Sequence, residues 1–349
     1  TTKIGGFLGK DFIVEASYGH IRKLGDKGNT LGVDVNDKFK PTYSIDDGGK
    51  NKKGKDKRSV VLNLKKKLKE CHTVWLATDY DREGEGIAWH CVDVLGLEKS
   101  KVKVHRIVFK KITKTDIIHA VKNPQVLDQN MVHSQQARQI LDKLLGFRVS
   151  STLHRRFNNF KLSAGRVQSV AVKLILEREN DIKKFESSKY YKVDAHFQLN
   201  NPNKDSSKKS KGIIQAQLDT NFEELNKAEK FIEACKTAKF KIKDIKTNNT
   251  KRKPSPPFTT SSLQQEASSK LGYSPKRTMQ AAQRLYEGGH ITYMRTDSVM
   301  LAEEALEAAK DKIIEEFGEK YHNEVRYKTK KSSSQEAHEA CRPCKMDVS

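Results

Sequence analysis

Residues 73–86 read TVWLATDYDREGEG, and this stretch decides the architecture of the first part of the chain. Thr73–Thr78 is a short apolar run, which predicts a buried strand. The pattern then predicts a helix at Glu83–Leu95, a second strand at Val102–Phe109 and a further helix at Lys114–Lys122. Strands that alternate with helices in this way favour an α/β unit with a parallel sheet.

Three carboxylates, Asp79, Asp81 and Glu83, follow the first predicted strand. Ligands of open α/β sheets bind at the carboxyl ends of strands. Asp79 and Asp81 would share one face if the strand continued. Oxygen-rich sites of this kind suit Mg²⁺. The alternative is an acidic helix start, favoured by the helix dipole. That alternative explains Glu83 and Glu85 but leaves two Asp at a strand end unexplained.

The rest of the chain predicts a helical segment, a β-rich segment and a second helical segment. Residues Met131–Phe185 form an almost wholly helical pattern. The predicted strands and their intervening helix are Tyr190–Leu199, Ile213–Leu218, Glu223–Lys236 (helix) and Phe240–Ile245. The later predicted helices are Ser261–Gly272, Pro275–Gly288 and Ala302–Phe317. Polar stretches at 47–58, 200–212, 246–257 and 328–335 predict loops or linkers.

Composition narrows the class of protein. The 349 residues include 67 Lys+Arg and 44 Asp+Glu, so the net charge is 67 − 44 = +23. This charge favours a polyanionic partner, with nucleic acid first and an anionic membrane surface second. A hydrophobic share of 36% argues against full disorder, and no apolar run is long enough to predict a membrane-spanning helix. Five unevenly spaced cysteines and no secretory signal predict an intracellular location.

A second candidate for chemistry lies at residues 285–298, LYEGGHITYMRTDS. Tyr293 follows a predicted helix, and tyrosine can act as a covalent nucleophile. Arg295, two residues on, could neutralise the charge that develops on a phosphodiester. The alternative is an ordinary amphipathic tyrosine, half-buried with a hydrogen-bonded hydroxyl.

Together these residues resemble the type IA DNA topoisomerases of the bacterial topoisomerase I kind. The similar motifs occur in the family's order over nearly the whole chain, and DREGE followed by YMRTDS is the most specific pair. The motifs are GHIR at 19–22, ATDYDREGEGIAWH at 77–90, QQAR at 135–138, SAGRVQSVAVKLILERE at 163–179, FTTSSLQQEAS at 258–268, LYEGGHITYMRTDS at 285–298 and EAHEACRP at 336–343.

The resemblance implies ATP-independent relaxation of negatively supercoiled DNA. Tyr293 would attack a phosphodiester and form a 5′-phosphotyrosyl intermediate, while Arg295 and His338 would lie at the scissile phosphate. The carboxylates of Asp79, Asp81 and Glu83 would hold Mg²⁺ in a Toprim domain. No nucleotide is expected, since the P-loop-like run GGFLGK at residues 5–10 has the wrong glycine spacing.

The resemblance also implies a set of DNA-contacting residues. Arg138 and Asp142 could instead form an ion pair within one helix, and Phe147 could simply pack in a core. Arg166 beside Gly165 at a helix start suits a phosphate, with a surface arginine as the alternative. Gln139 stands where the family often has Arg. The expected DNA-binding residues are His20, Arg138, Gln139, Asp142, Phe147, Ser163, Ala164, Gly165, Arg166, Val167, Gln168 and Arg295.

The implied architecture is a multidomain α/β, α and β protein, part of a toroidal core. We expect a Toprim-type parallel α/β domain at 1–112 without its first strand and a helical DNA-binding segment at 113–186. A β-rich arch segment at 187–256 and a helical domain with the tyrosine at 257–349 would follow. The resemblance predicts a fragment of a longer chain that is monomeric, associated with DNA and without a membrane partner.

Two other classes of function stay open at this point. Another Toprim enzyme, such as a primase or nuclease, explains Asp79, Asp81 and Glu83 but not Tyr293 with Arg295. A non-catalytic module that binds single strands through charge predicts salt-sensitive binding without covalent chemistry.

Overall fold

The computed structural model describes residues 2–25, 31–46, 56–198, 212–327 and 339–346. Two compact units emerge, one made of Thr1–Arg166 with Pro254–Ser349 and the other of Val167–Lys253. Within the described ranges, no helix has the length and apolar character required to cross a membrane. Most of the predicted loops at 47–58, 200–212 and 328–335 lie outside the described residues, whereas 246–257 is described and forms neither helix nor strand.

The first unit begins with short elements. They are helix α1 (Thr2–Leu8) and strands β1 (Arg22–Leu24), β2 (Val33–Asp34), β3 (Lys40–Pro41) and β4 (Tyr43–Ile45). Strands β1 and β4 pair antiparallel, as do β2 and β3. The sequence predicted none of these elements, because strands of two or three residues carry too little periodicity to detect.

The predicted parallel sheet is confirmed. Its elements are α2 (Lys57–Leu68), β5 (Thr73–Leu76), α3 (Arg82–Leu95), β6 (Lys103–Arg106) and α4 (Lys114–Lys122). β5 pairs with β6 in parallel register from Thr73↔Lys103 to Leu76↔Arg106. Both strands end earlier than predicted: β5 stops at Leu76 because the chain turns there to enter α3.

Two hydrophobic clusters support this sheet. One contains Ile21, Val61 of α2, Leu76 of β5 and Ala88 of α3. The other joins residues that follow β6, such as Ile107, to Ala282, Tyr286, Tyr293 and Met294 from a distant part of the sequence. Burial of this shared apolar surface holds the tyrosine segment against the end of the sheet.

Long helices complete the first unit. They are α5 (Gln129–Phe157), α8 (Thr260–Leu271), α9 (Pro275–Glu287) and α10 (Glu303–Phe317), while α6 (Arg166–Lys184) begins at the boundary between the units. Asp128 caps α5 through its carboxylate, and Ser274 with Pro275 starts α9 in the way these residues favour. The predicted helical run is therefore correct apart from a break after Phe157, where Asn158 adopts a left-handed conformation with φ 47°.

The second unit contains most of α6, an antiparallel pair and one helix. Strand β7 (Asp194–Gln198) pairs with β8 (Ile213–Gln217), and α7 (Leu225–Lys236) follows. The predicted third strand at Phe240–Ile245 is wrong, because none of the described strands pairs with it. The Phe240 ring contacts Phe197 with centroids 4.8 Å apart, but Ile242 and Ile245 are exposed, so the alternating pattern is not matched by burial of one face.

Candidate active site

The acidic stretch forms the turn between β5 and α3. The Asp81 carboxylate caps α3, and its Oδ1 accepts a hydrogen bond of 2.8 Å from the backbone N–H of Gly84. The first turn of α3 approaches the strand end so closely that a Cβ on Gly84 would lie 2.1 Å from the carbonyl oxygen of Asp79. Glycine at this position therefore lets the two Asp residues sit at one corner.

A buried arginine holds that corner in place. Arg106, only 2% exposed at the end of β6, donates from Nε to the Glu85 carboxylate at 2.8 Å. Its other guanidinium nitrogens donate to the carbonyl oxygens of Leu76 at 3.1 Å, Thr78 at 2.8 Å and Asp79 at 2.9 Å. One side chain thus ties the end of β5 to α3, and the planar fork of Arg suits this multiple contact.

Tyr293 lies against the same corner. Its hydroxyl donates to Oδ2 of Asp81 at 2.6 Å, and its backbone N–H donates to the carbonyl of Lys110 at 2.9 Å. The side chain of Tyr286 packs edge-on against the Tyr293 ring with centroids 5.2 Å apart. Nη1 of Arg295 lies 3.9 Å from the same Asp81 oxygen. The structure therefore brings Tyr293 and Arg295 together with the carboxylates.

The environment keeps the Tyr293 hydroxyl protonated. Tyr293 is 3% exposed, and burial raises the pKa of its hydroxyl well above the usual range. The negative charges of Asp81 and Asp79 raise that pKa further, and Arg295 opposes them. A nucleophilic role for Tyr293 therefore needs a proton acceptor, and the Asp81 carboxylate is in hydrogen-bond contact with its hydroxyl.

A cleft of about 750 Å³ opens beside these groups. Its lining combines carboxylates with arginines, a mixture that suits a phosphate next to a cation. The lining residues are His20, Asp79, Asp81, Arg82, Glu83, Gly84, Ile87, Arg138, Arg295 and Asp297.

The three carboxylates predicted to hold Mg²⁺ have different surroundings. Asp79 receives no side-chain hydrogen bond within the described part of the chain, and burial followed by repulsion from Asp81 raises the pKa of its carboxyl. Glu83 turns to His20 and Gln135, whose side-chain nitrogens lie 3.0 Å and 3.3 Å from its Oε2. The His20 hydrogen bond lowers the pKa of the Glu83 carboxyl.

These surroundings test the fit of a divalent cation. Among the described residues, no three His, Cys, Asp or Glu side chains are gathered closely enough to hold a metal ion. Asp79 beside Asp81 nevertheless offers two hard oxygen donors whose mutual repulsion a cation would relieve. This pair fits Mg²⁺, and Glu83 lines the same cleft with its Oε2 hydrogen-bonded to His20.

The expected DNA-binding residues divide between two clefts. His20, Arg138 and Arg295 line the acidic cleft, and Gln139, Asp142, Phe147 and Ala164 line a second cleft of about 690 Å³. In the second cleft, Asp142 forms an ion pair with Arg166 rather than with Arg138. Nε of Arg166 lies 2.8 Å from Oδ1 of Asp142.

Phe147 and the remaining expected residues differ in their exposure to solvent. Phe147 is 49% exposed, so core packing does not account for it, and Nζ of Lys143 lies 4.7 Å above its ring. Ser163 is exposed and Gly165 half-buried in the loop before α6. Val167 and Gln168 are exposed residues of the second unit. His338 lies outside the described residues.

Sequence reasoning missed several residues of this site. Arg106 could have been suspected, because it ends the strand next to β5 and so reaches the same sheet edge. Glu85 was counted only as part of an acidic helix start, yet it is 4% exposed and its Oε1 accepts from the Asp128 backbone N–H. Gln135 and Tyr286 gave no signal beyond their place in the motifs.

Known proteins are similar to this chain over almost its whole length. A Toprim domain family model matches residues 2–112, and a DNA topoisomerase family model matches residues 126–348. DNA topoisomerase 1 of Rickettsia felis is 45% identical over 97% of this chain and 44% of its own length. The Campylobacter jejuni protein of the same name is 42% identical over 98% of this chain and 48% of its own length.

A solved structure of a bacterial topoisomerase I is also similar to this chain. Full-length topoisomerase I from Thermotoga maritima matches 98% of this chain and 53% of that chain, with a TM-score of 0.77 and 37% sequence identity. The chain therefore spans about half the length of the relatives it matches.

Proposed function

This chain belongs to the bacterial DNA topoisomerase I family, and on that premise we propose that its Tyr293 site cleaves and reseals single-stranded DNA. The observation that carries the proposal is the 2.6 Å hydrogen bond from the Tyr293 hydroxyl to Asp81. The candidate nucleophile contacts a proton acceptor, Asp81, which lines the cleft together with the Arg295 cation. These are the groups that phosphodiester cleavage by a tyrosine requires.

In the proposed cleavage step, the Tyr293 oxygen attacks the phosphorus of a phosphodiester and its proton passes to Asp81. The bond from phosphorus to the 3′-oxygen breaks, and that oxygen takes a proton from a water molecule, which regains one from protonated Asp81. The products are a 5′-phosphotyrosyl linkage and a free 3′-OH. Arg295 neutralises charge on the phosphate. Resealing reverses these transfers, so the bond energy is kept and no nucleotide is consumed.

Mg²⁺ is the cation that the Asp79 and Asp81 carboxylates would hold, and Glu83 is the third candidate ligand. When bound, it would supply positive charge beside the phosphate and the 3′-OH. The chain's own contribution is positional: Arg106 holds the backbone at Asp79, and the α3 N-terminus holds Asp81.

Part of the bound DNA strand would lie in the second cleft. Phe147 offers an exposed ring for stacking on a base, and the nearby Lys143 adds positive charge. Polar groups of Gln139 and Ser150 in the same cleft could contact a base edge or phosphate. We propose that this cleft and the acidic cleft bind one DNA strand. Relaxation of supercoiled DNA, a monomeric state and an intracellular, DNA-associated location remain predictions.

The test is a covalent adduct. The protein is incubated with a labelled single-stranded oligonucleotide and denatured, and protein-bound label is measured. We expect an adduct in the wild type and none in Tyr293→Phe. Tyr321→Phe, which removes the hydroxyl of a 63% exposed tyrosine, is the matched control and should retain the adduct. Salt-sensitive binding without any adduct would favour the single-strand binding module, and cleavage that survives in Tyr293→Phe would favour another Toprim enzyme.

A further inference from the structure

A cluster of buried polar groups lies behind Glu83 and takes no direct part in the proposed chemistry. Five buried side-chain atoms in the described residues lack a hydrogen-bond partner, and four of them belong to this cluster. They are Nδ1 of His20, Nη2 of Arg22, Nε2 of His90 and Oε1 of Gln135. Buried polar atoms in native proteins are normally paired with protein or bound water, so such a concentration needs an explanation.

The neighbouring arginine determines where His90 carries its proton. His90 is fully buried in α3, and its Nδ1 lies 2.9 Å from Nε of Arg22. An arginine Nε always donates, so Nδ1 of His90 must accept and the ring proton must sit on Nε2. Burial, with the positive charges of Arg22 and His20, lowers the pKa of His90 to about 3, which keeps the ring neutral.

Arg22 is itself held firmly. Its guanidinium lies beside two aromatic rings that contact each other, 5.1 Å from the centroid of Tyr43 and 5.0 Å from that of Trp89. Its Nη1 also contacts the Asp93 carboxylate. Cation–π contacts and an ion pair on one guanidinium leave it little freedom to turn. The tautomer of His90 is therefore imposed by a rigid partner.

His20 faces His90 on one side and Glu83 on the other. Nε2 of His20 lies 3.0 Å from the Glu83 carboxylate, and only a protonated Nε2 can donate to that acceptor. In the neutral ring its Nδ1 is then a buried acceptor. The His20 and His90 ring centroids are 5.8 Å apart at an interplanar angle of 75°. The rings are therefore neighbours, and both the Nε2 donor of His90 and Nδ1 of His20 are buried without a partner among the described residues, a pair that one bound water could satisfy.

We propose that His90 is a positioning residue of the acidic site: its Nε2–H donates through one bound water to Nδ1 of His20. This contact keeps the proton of His20 on Nε2, and His20 in turn orients the Glu83 carboxylate. In the opposite tautomer, a lone pair of His20 would face the carboxylate and repel it. Arg22, His90, His20 and Glu83 thus form a chain that ends at a proposed metal ligand, in the way that outer-shell partners orient metal-binding groups.

The significance of this chain for religation rests on the proposed function, but its geometry is tested without DNA. The protein is labelled with ¹⁵N-histidine, and long-range proton–nitrogen correlation spectra at about pH 8 report which ring nitrogens of each histidine carry a proton. Signals are assigned with His20→Gln and His90→Gln. We expect His20 and His90 each to carry the proton on Nε2. A proton on Nδ1 of His20 in the wild type would overturn the proposal.

Variants at His90 then separate positioning from folding. His90→Phe keeps the ring but removes the donor, so His20 should become a mixture of tautomers. His90→Gln places an amide donor near the lost Nε2–H and should largely restore the wild-type His20 signal. An unchanged His20 tautomer in a folded His90→Phe protein would contradict the proposal. If His90→Phe does not fold, the wild-type and His90→Gln spectra still decide the question.

An activity readout completes the test. The Mg²⁺ concentration for half-maximal religation of preformed adduct should rise about 10–100-fold in His90→Phe and less in His90→Gln, as for other outer-shell changes. His133→Phe, on the exposed face of α5, is the matched control and should leave this concentration unchanged. A normal Mg²⁺ requirement in His90→Phe would count against the positioning role. Absence of any adduct in the wild type would instead count against the proposed function, with the tautomer result unaffected.

Discussion

The hydroxyl of Tyr293 donates to a carboxylate oxygen of Asp81 at 2.6 Å, although 212 positions separate the two residues in the chain. This bond joins the tyrosine segment to the corner between β5 and α3. It places the proposed nucleophile and its proposed base in direct contact, which is the arrangement expected of an activated nucleophile.

Asp81→Asn should slow cleavage. The amide can still accept a hydrogen bond from Tyr293 but is a far poorer proton acceptor, so adduct formation should fall about 10²–10⁴-fold, the usual contribution of a general base. The measurement is the single-turnover rate of adduct formation. Asp311→Asn, on the exposed side of α10, should keep the wild-type rate. A wild-type rate in Asp81→Asn would remove Asp81 from the cleavage step.

Removing the charge of Asp79 and removing the charge of Glu83 should change the free energy of unfolding in opposite directions. The pKa of the Asp79 carboxyl is raised by burial and by Asp81, so its ionised form costs folding free energy at neutral pH. Asp79→Asn should therefore increase the free energy of unfolding at neutral pH. The increase should disappear as the pH falls through the raised pKa toward the unfolded value, where the wild-type carboxyl is protonated.

For Glu83 the sign is reversed, because the hydrogen bond from His20 lowers the pKa of its carboxyl. That stabilisation is present above the unfolded pKa and is lost as the pH falls toward the lowered one. Glu83→Gln should thus reduce the free energy of unfolding at neutral pH. Thermal unfolding of both variants between roughly pH 3 and pH 8 checks the pair, and shifts of the same sign at neutral pH would contradict the assignment.

Gly84→Ala should damage both stability and the site. Its Cβ would meet the Asp79 carbonyl oxygen at 2.1 Å, so the first turn of α3 would have to move, at a cost of about 1–3 kcal/mol. Gly6→Ala in α1 is the matched control, since nothing lies within 4 Å of its added methyl group. That control should be neutral or stabilising by up to about 1 kcal/mol. Denaturant unfolding compares the two, and equal effects would show that the close approach at Gly84 is not needed.

Phe147→Ala should weaken single-strand binding by about 1–3 kcal/mol if a base stacks on the exposed ring. Fluorescence anisotropy with a labelled oligonucleotide at one fixed salt concentration measures this change. Phe317→Ala removes a ring that is 61% exposed on α10 and should leave the affinity unchanged. Equal losses in both variants would place the second cleft outside the binding path.

The sequence predicted the features that depend on local pattern. The parallel strands, the long helices and the acidic strand end all follow from periodicity and from residue types at one place in the chain. The short pairs β1–β4 and β2–β3 carry no such period. Phe240–Ile245 has the alternation of a strand, but a strand also needs a free edge to pair with, and periodicity does not report one.

The sequence predicted the charged residues of the site. It did not predict the contacts that hold those residues in place. Arg106 donates mainly to backbone carbonyl oxygens. Because every residue has such an oxygen, no sequence pattern identifies the acceptors. His90 depends on Arg22, which comes from a segment 68 positions away. Contacts of this kind are set by tertiary packing, whereas the motifs around Asp79 and Tyr293 lie within a few consecutive residues.

The polarity of the covalent linkage tests the central claim most directly. Two preparations of one single-stranded oligonucleotide, labelled at the 5′ end or at the 3′ end, are each incubated with the protein and denatured. If Tyr293 attacks as proposed, the 3′-end label stays with the protein and the 5′-labelled fragment is released with a free 3′-OH. Peptide mapping should find the adduct on Tyr293. Retention of the 5′ label, or a linkage at another residue, would contradict the account.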